Sequence, residues 1–447
     1  MNIDLQISPT ESTKHEFAQV DLRCNELGLV STLDVEYTPL YKRCRLPAPL
    51  VLDFLFFSSV IYAIDQMVPR SKADDKWTRR LTVDIPVSEV DRWQAAASIL
   101  QDALSFLTGD RWELSFSPRT ASLRRLRKRE RRVRSRRVRG DAVCLFSGGL
   151  DSLIGAIDWL ESHEGQRLLL VGHHDFPGPE SDQNRLWPEL LERYGRERVD
   201  ILQIRVGQAP KGKEISLRSR SLVFVALGVY AASSLGDDIP VLVPENGNIA
   251  LNVPLTPSRR GACSTRTTHP YFLTRLSEAL GVLGLQHHLV NDLASKTKGE
   301  CAQQCLNQDL FRRVALKSVS CAKRGHTREW ERRSANGCGY CMPCIFRRAA
   351  LHAVGLDTED YGLDLCRGEI NPRSDGELPN DLRAVLAFLR RKPTRREIEG
   401  LLVVNGRLDL ERLVEYSNLV DRAMGEVREL IRAKAVDDIR QFAGIRT

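Results

Sequence analysis

Residues 142–160 read AVCLFSGGLDSLIGAIDWL, and the fold follows from how that stretch is parsed. The apolar run at 142–146 has the length of a buried strand. It breaks into Ser147-Gly148-Gly149-Leu150-Asp151-Ser152, and residues 153–160 then space their apolar side chains as a helix does. Strand, glycine turn and helix make an anion cradle. The two glycines let the backbone turn tightly, and the free N–H groups at the helix start point at the anion with the helix dipole behind them. Ser147 and Ser152 can add hydroxyl donors. Asp151 repels a phosphate, so its expected partner is a Mg²⁺ shared with the phosphates. The stretch lacks both the Gly-Lys-Ser/Thr of a Walker A loop and the GxGxxG spacing. The plain alternative is an ordinary strand-to-helix turn.

Working outward, buried strands alternate with helices: strands at 167–172, 199–206 and 239–244, helices at 183–194 and 220–235. That alternation implies an α/β fold, a parallel sheet with helices on both faces. Ligands bind such sheets at the C-terminal strand ends. One crevice should therefore gather the 147–152 turn, His173-His174-Asp175, Gly207 onward and Glu245 onward. Residues 1–120 read as an α+β accessory domain, with strands at 33–37, 80–86 and 112–117, an apolar helix at 49–67 and a helix at 90–107 capped by Ser88. Residues 121–140 are a connector, 141–374 the α/β domain and 375–447 a small helical unit. Helices are expected in that last unit at 381–389, 394–403, 409–416 and 419–433.

With 447 residues, 42% hydrophobic and 28% charged, the composition is that of a globular chain of two or three domains. The start, MNIDLQISPTESTKHE, has no basic segment followed by an apolar core, so no signal peptide is expected. The most apolar stretch, 50–64, is short for a bilayer and contains Asp53, so no membrane association and a cytoplasmic location are expected. The charge is uneven. Residues 124–139, from Arg124 through Arg139, hold eleven Lys/Arg against Glu130, a local +10, so the rest of the chain is −2 within the net +8. This segment could contact nucleic acid, dock on an acidic partner or be a solvated linker. No aromatic residue interrupts it, which disfavours a single-strand stacking site.

Two further constellations carry chemistry. Residues 244–270, PENGNIALNVPLTPSRRGACSTRTTHP, are too polar and proline-broken for a core element, yet they follow a buried strand. A loop this long suits a polar ligand, and Glu245, Asn246, Asn252, Arg260, Thr265, Arg266 and His269 are the substrate candidates. His173 and His174 could face a ligand or be structural. The second constellation lies among the eleven cysteines: Cys338, Cys341 and Cys344 put three thiols on one knuckle. Tetrahedral zinc wants a fourth ligand, and Cys321, with sixteen residues between it and Cys338, has a zinc-loop spacing. His326 is the alternative ligand and an Fe–S cluster the alternative cofactor. A closed four-cysteine site would be structural. Cys301 and Cys305, at helical spacing, read as buried.

The SGGLDS string at 147–152 resembles the PP-loop of the ATP pyrophosphatase superfamily. Together with CGYCMPCIFRR at 338–348, residues 141 to 352 resemble the 7-cyano-7-deazaguanine synthase (QueC) family, which joins such a loop to four zinc-binding cysteines. Arg220-Ser221 looks like that family's Arg-Asn pair, with Ser in place of Asn. The loop at 244–270 and the flanking domains depart from the family and look most like the QueC-like proteins of bacterial anti-phage defence.

The resemblance implies an ATP-dependent, AMP- and pyrophosphate-forming ligase with ATP, Mg²⁺ and Zn²⁺ as cofactors. Its substrate is a 7-deazaguanine-like carboxylate, which is adenylated and passed to an amine, either ammonia or a partner protein of a defence operon. Residues 146–152 (Phe146, Ser147, Gly148, Gly149, Leu150, Asp151, Ser152) would bind the nucleotide. Ser147, Asp151 and Arg220 would carry the catalysis, and Cys321, Cys338, Cys341 and Cys344 the zinc. Two other readings stand beside it: a tRNA-modifying adenylyltransferase that holds RNA on residues 124–139, and a catalytically lapsed nucleotide-binding subunit.

Overall fold

The computed structural model describes residues 1–8, 19–123, 136–175, 177–214, 216–256, 266–376 and 378–445. Its strands are β1 (Asn2–Ser8), β2 (Gln19–Cys24), β3 (Leu29–Val35), β4 (Arg80–Val87), β5 (Arg111–Pro118), β6 (Ala142–Leu145), β7 (Leu168–His174), β8 (Val199–Ala209), β9 (Val241–Leu242) and β10 (Leu289–Val290). Its helices are α1 (Thr38–Arg43), α2 (Pro49–Met67), α3 (Val90–Thr108), α4 (Leu150–Ser162), α5 (Pro177–Tyr194), α6 (Arg220–Leu235), α7 (Gly247–Leu251), α8 (Pro270–Val282), α9 (Lys298–Gln303), α10 (Gln308–Val314), α11 (Met342–Ala353), α12 (Asn380–Arg391), α13 (Arg395–Asn405), α14 (Leu413–Lys434) and α15 (Asp437–Phe442). The fold is α/β.

The ten strands form one sheet in the order β10-β9-β6-β7-β8-β3-β2-β1-β4-β5. From β10 to β8 it is entirely parallel. Counted along the chain from β6, that half runs 3-2-1-4-5, the order of a doubly wound sheet. Strand β8 is longer than its apolar pattern suggests because residues 206–209 pair antiparallel with β3. That pairing welds the N-terminal unit to the α/β sheet.

The two faces of β6 divide the core. Ala142, Cys144 and Phe146 pack with α4 and α5. Val143 and Leu145 pack with α6 and, through one continuous cluster, with α2 and the N-terminal strands. By length and composition α2 could cross a membrane, yet 89% of its most apolar window is buried inside the protein. Asp53 within it is ion-paired with Arg119 at 2.8 Å. A second core, formed by α11 to α15, covers the cysteine knuckle and reaches Leu251 of α7.

Several expectations need correction. The 90–107 helix has Glu89 at its cap position and no side-chain cap, because Ser88 donates to Asp53 instead. The fourth strand of the α/β half shrinks to Val241–Leu242, bracketed by Pro240 and Pro244. The helices expected at 409–416 and 419–433 are a 3₁₀ turn at Leu410–Arg412 followed by one continuous α14. Strands β1 and β2 carry polar residues at alternate positions and were not anticipated.

A buried charge network ties the N-terminal unit together. Arg79 is fully buried. It donates to Asp110 through Nε at 3.0 Å and Nη2 at 2.6 Å, to Asp65 Oδ1 at 2.6 Å, and to the carbonyls of Asp65 and Val68. Arg70 adds two 2.9 Å bonds to Asp110. Burial opposes ionisation of Asp65, and the Arg79 guanidinium outweighs it, so this carboxyl stays below the ordinary range. Arg79→Leu would leave two carboxylates short of their main partner and is expected to cost about 3–5 kcal/mol in urea unfolding. A loss below about 0.5 kcal/mol, the level of a surface change, would remove the network from the account of stability.

Candidate functional site

In a doubly wound sheet the crevice opens where the strand order reverses, here between β6 and β9. A cavity of about 260 Å³ lies there. Its walls include Ser147 and Ser152 from the glycine turn, Arg220, Ser221 and Phe224 from α6, Glu245 after β9, and Thr267 and Thr268 before α8.

The glycine turn is shaped by close approach. Gly148 has φ +83°, and a Cβ there would lie 2.8 Å from Asp182 Cβ. Only glycine accepts both conditions. Ser147 Oγ accepts the Gly149 N–H at 3.2 Å and stands 3.3 Å from Ser152 Oγ. Phe146 and Leu150 are fully buried, so they offer the turn only their backbone. In the second turn of α4, Gly155 meets Pro244, whose ring would be 2.5 Å from an added Cβ. That contact holds the two strand ends together.

Below the turn, Asp151 is buried at a junction of three segments. Its Oδ2 accepts from Asn246 Nδ2 at 3.0 Å and is ion-paired with Lys298 Nζ. Its Oδ1 is buried with no hydrogen-bond partner. Burial works against the Asp151 charge, but the Lys298 ammonium more than offsets it and holds the carboxyl below the usual range. Glu245 next door behaves oppositely. Burial, and then the Asp151 charge, push its carboxyl well up, so the pair shares one negative charge. Lys298 was missed by sequence reading. The only local signal is a capping box, in which Thr297 Oγ1 and Glu300 close the start of α9. Glu426 of α14 then accepts from Thr297 Oγ1 and from the Gly299 N–H.

Arg220 is held from the N-terminal side. Its Nε donates to His173 Nδ1 at 3.3 Å, while His173 Nε2–H donates to the Val206 carbonyl at 3.1 Å. Burial, reinforced by the Arg220 cation, keeps His173 neutral, which fits this tautomer. Tyr62 in α2 packs perpendicular to His173, and its hydroxyl donates to Asp175 at 2.8 Å. Asp65 accepts from Ser216 and Ser219 at 2.7 Å each, immediately before Arg220.

The cysteines Cys321, Cys338, Cys341 and Cys344 converge, with all sulfurs within 4.8 Å of one another. A tetrahedral ion with bonds of about 2.3 Å needs sulfur edges of about 3.8 Å. Cys338 Sγ and Cys344 Sγ are 3.8 Å apart. Gly339, at φ +87° and pressed on the Leu363 carbonyl, makes the knuckle possible. This set can hold a metal ion. Cys301 and Cys305 are buried elsewhere, in the core under α4. The residues before Cys321 touch the glycine turn: the Val319 N–H donates to the Gly148 carbonyl at 2.9 Å, and Ser320 Oγ accepts from the Leu150 N–H at 3.3 Å.

Of the loop candidates, Glu245 lines the cavity and Asn246 binds Asp151. Asn252, at φ +45°, ends α7. Arg266 donates to the Phe106 carbonyl and stacks on its ring. His269 caps α8 through Nδ1 and packs on Phe106, fully buried outside the cavity lining. These last three are drawn into packing against the N-terminal and C-terminal units, which local sequence does not announce. Arg260 and Thr265 lie outside the described residues, as do residues 124–135 of the basic segment. No protein-family model, curated protein or solved structure matches this chain.

Burial, assisted by the Arg266 cation, pushes the His269 imidazole down to about 3. The folded chain keeps it neutral, whereas the unfolded chain protonates near 6.5. Stability is therefore complete above the unfolded value and is lost as pH falls from there toward the folded one. Between pH 7.5 and 5, His269 alone should remove roughly 2 kcal/mol. His269→Asn keeps a capping acceptor and removes the titration. Its unfolding free energy should fall by roughly 2 kcal/mol less than the parent's over that interval. Parallel pH profiles for the two proteins would refute this assignment.

Proposed function

We propose that the chain is an ATP-dependent ligase of QueC type. It adenylates a 7-deazaguanine-like carboxylate and transfers the acyl group to an amine, either ammonia or a partner protein of a defence system. One observation carries this reading. Ser147 and Ser152 of the SGGLDS turn, Arg220 and Glu245, far apart in sequence, meet at one cavity at the switch point of the sheet, and Asp151 is buried behind it on Asn246. The motif resemblance supports the family, and the cavity supports a bound nucleotide or base.

In this reading the N–H groups at the start of α4, with Ser147 and Ser152, receive the phosphates of ATP. Arg220 and Lys298 offset the charge that builds on the α-phosphate and on the leaving pyrophosphate. Asp151 Oδ1, and Glu245 once its carboxyl has released its proton to solvent, would be the oxygen ligands for a Mg²⁺, which would shield the phosphates from the incoming carboxylate. The substrate carboxylate attacks the α-phosphorus and pyrophosphate leaves. The amine nitrogen then attacks the acyl carbon, the acyl–phosphate bond breaks, AMP leaves and the surplus amine proton goes to solvent. No protein nucleophile is required, so positioning and charge compensation supply the rate. The four cysteines would hold a Zn²⁺ as a structural cross-link.

Pyrophosphate release in the presence of ATP, Mg²⁺ and a deazaguanine carboxylate tests the activity. Ser147→Ala and Asp151→Asn should each lower the rate by about 10²-fold or more. A parent protein that releases no pyrophosphate with any carboxylate tried would leave only the nucleotide-binding subunit. Intact-mass spectrometry of co-produced operon proteins tests the acceptor. A mass increase that is present with the parent and absent with Asp151→Ala identifies a protein amine, and its absence in both points to ammonia. Metal analysis should find about one zinc per chain, lost in Cys341→Ser together with several kcal/mol of stability.

A further inference from the structure

The edge of the sheet opposite the cavity carries a second feature. Arg139 precedes β6, Arg167 precedes β7, and Arg196 and Arg198 precede β8. Backbone bonds set these starts side by side: the Asp141 N–H donates to the Arg167 carbonyl and the Leu168 N–H to the Arg198 carbonyl, both at 2.8 Å. Arg136 and Arg137 fold onto the same edge and line one crevice with them. Acidic neighbours neutralise only part of this charge. Arg136 pairs with Glu197 at 2.9 Å and Arg43 pairs with Asp200, while Arg198 spends its guanidinium on the carbonyls that end α4. Among the described residues, Arg137, Arg139, Arg167 and Arg196 are exposed and make no ion pair. Crowding unpaired like charges costs free energy that an anion would recover.

The aromatic residue missing from the basic segment is supplied by α5. Trp187, half buried, lines a cavity of about 240 Å³ beside the arginine row, together with Arg43, Arg136 and Arg196. An acidic peptide would use the arginines and have no need of the Trp187 cavity. A duplex would keep its bases stacked away from it. A single strand uses both, with phosphates on the arginine forks and a base against the indole.

We propose that this edge is a binding site for single-stranded nucleic acid, with its backbone on Arg137, Arg139, Arg167 and Arg196 and one base in the Trp187 cavity. The site is defined on described residues alone, and residues 124–135 lie outside them. The strand β7 between the two edges has seven residues, so this site is about 20 Å from the glycine turn. It stands or falls independently of the ligase reading.

The test is fluorescence anisotropy with a labelled dT 12-mer, the matching duplex and polyglutamate, using the full chain and variants that keep residues 124–135 intact. The parent should prefer the single strand. Arg139→Glu/Arg167→Glu/Arg196→Glu should weaken single-strand binding by at least tenfold and reduce the salt slope by about 2. Trp187→Ala should weaken single-strand binding roughly fivefold or more, with duplex binding within about twofold, and Trp187→Phe should retain binding. Unchanged thermal unfolding and pyrophosphate release in the triple variant separate this site from folding and from the cavity chemistry. Parent-like binding by the triple variant, equal losses for single strand and duplex in Trp187→Ala, or equal affinity for polyglutamate would each overturn the proposal.

Discussion

A parallel sheet has two apolar faces, and water must be kept from both. In this chain α4 and α5 cover one face of β6 and β7, whereas α6 packs on the other beside β6 and α8 joins the same core. The remaining cover comes from α2 of the N-terminal unit, and the backbone of β8 is completed by β3. The N-terminal unit is thus a wall of the α/β half. Its polar groups had to be buried in consequence, and they survive burial because Arg79, Arg70, Asp65 and Asp110 satisfy one another.

The same constraint builds the cavity. Each of its walls is held by a segment remote in sequence. Asp65 and Tyr62 brace the start of α6 and His173, and so set Arg220. Glu426 of the C-terminal unit grips the start of α9, and so sets Lys298 against Asp151. Val319 and Ser320, next to the cysteine cluster, bond the glycine turn itself. The flanking units and the candidate metal site act on the crevice through hydrogen bonds that a rigid support can transmit. A side chain held from behind loses less freedom on binding a ligand than one that is free in solvent.

Charge is distributed along one axis. Inside the crevice, Asp151 and Glu245 are crowded until only one ionises, with Lys298 as the counter-charge. At the far edge, arginines gather with few acids. Paired carboxylates crowd negative charge that a cation relieves, and an unpaired basic row crowds positive charge that an anion relieves. The crevice thus sets its carboxylate against Lys298 and Arg220, whereas the far edge leaves Arg137, Arg139, Arg167 and Arg196 unpaired.

The local chemistry of the chain was enough for several features. Apolar runs and helical spacing gave α2 and α6 their bounds, because those signals lie within the element itself. The SGGLDS turn and the cysteine knuckle were readable for the same reason: glycine conformations and thiol spacing are short-range. Cys321 was within reach because a seventeen-residue separation is a loop-length signal. Tertiary structure alone decided the rest. Lys298 meets Asp151 across 147 positions, and Trp187 joins an arginine row that holds no aromatic of its own. The fusion of two apparent domains through β3 and β8, and the capture of Arg266 and His269 by Phe106, likewise have no local signature. Periodicity records which face of an element is apolar, but not which distant surface will cover it. That choice is made when the whole chain buries its faces at once.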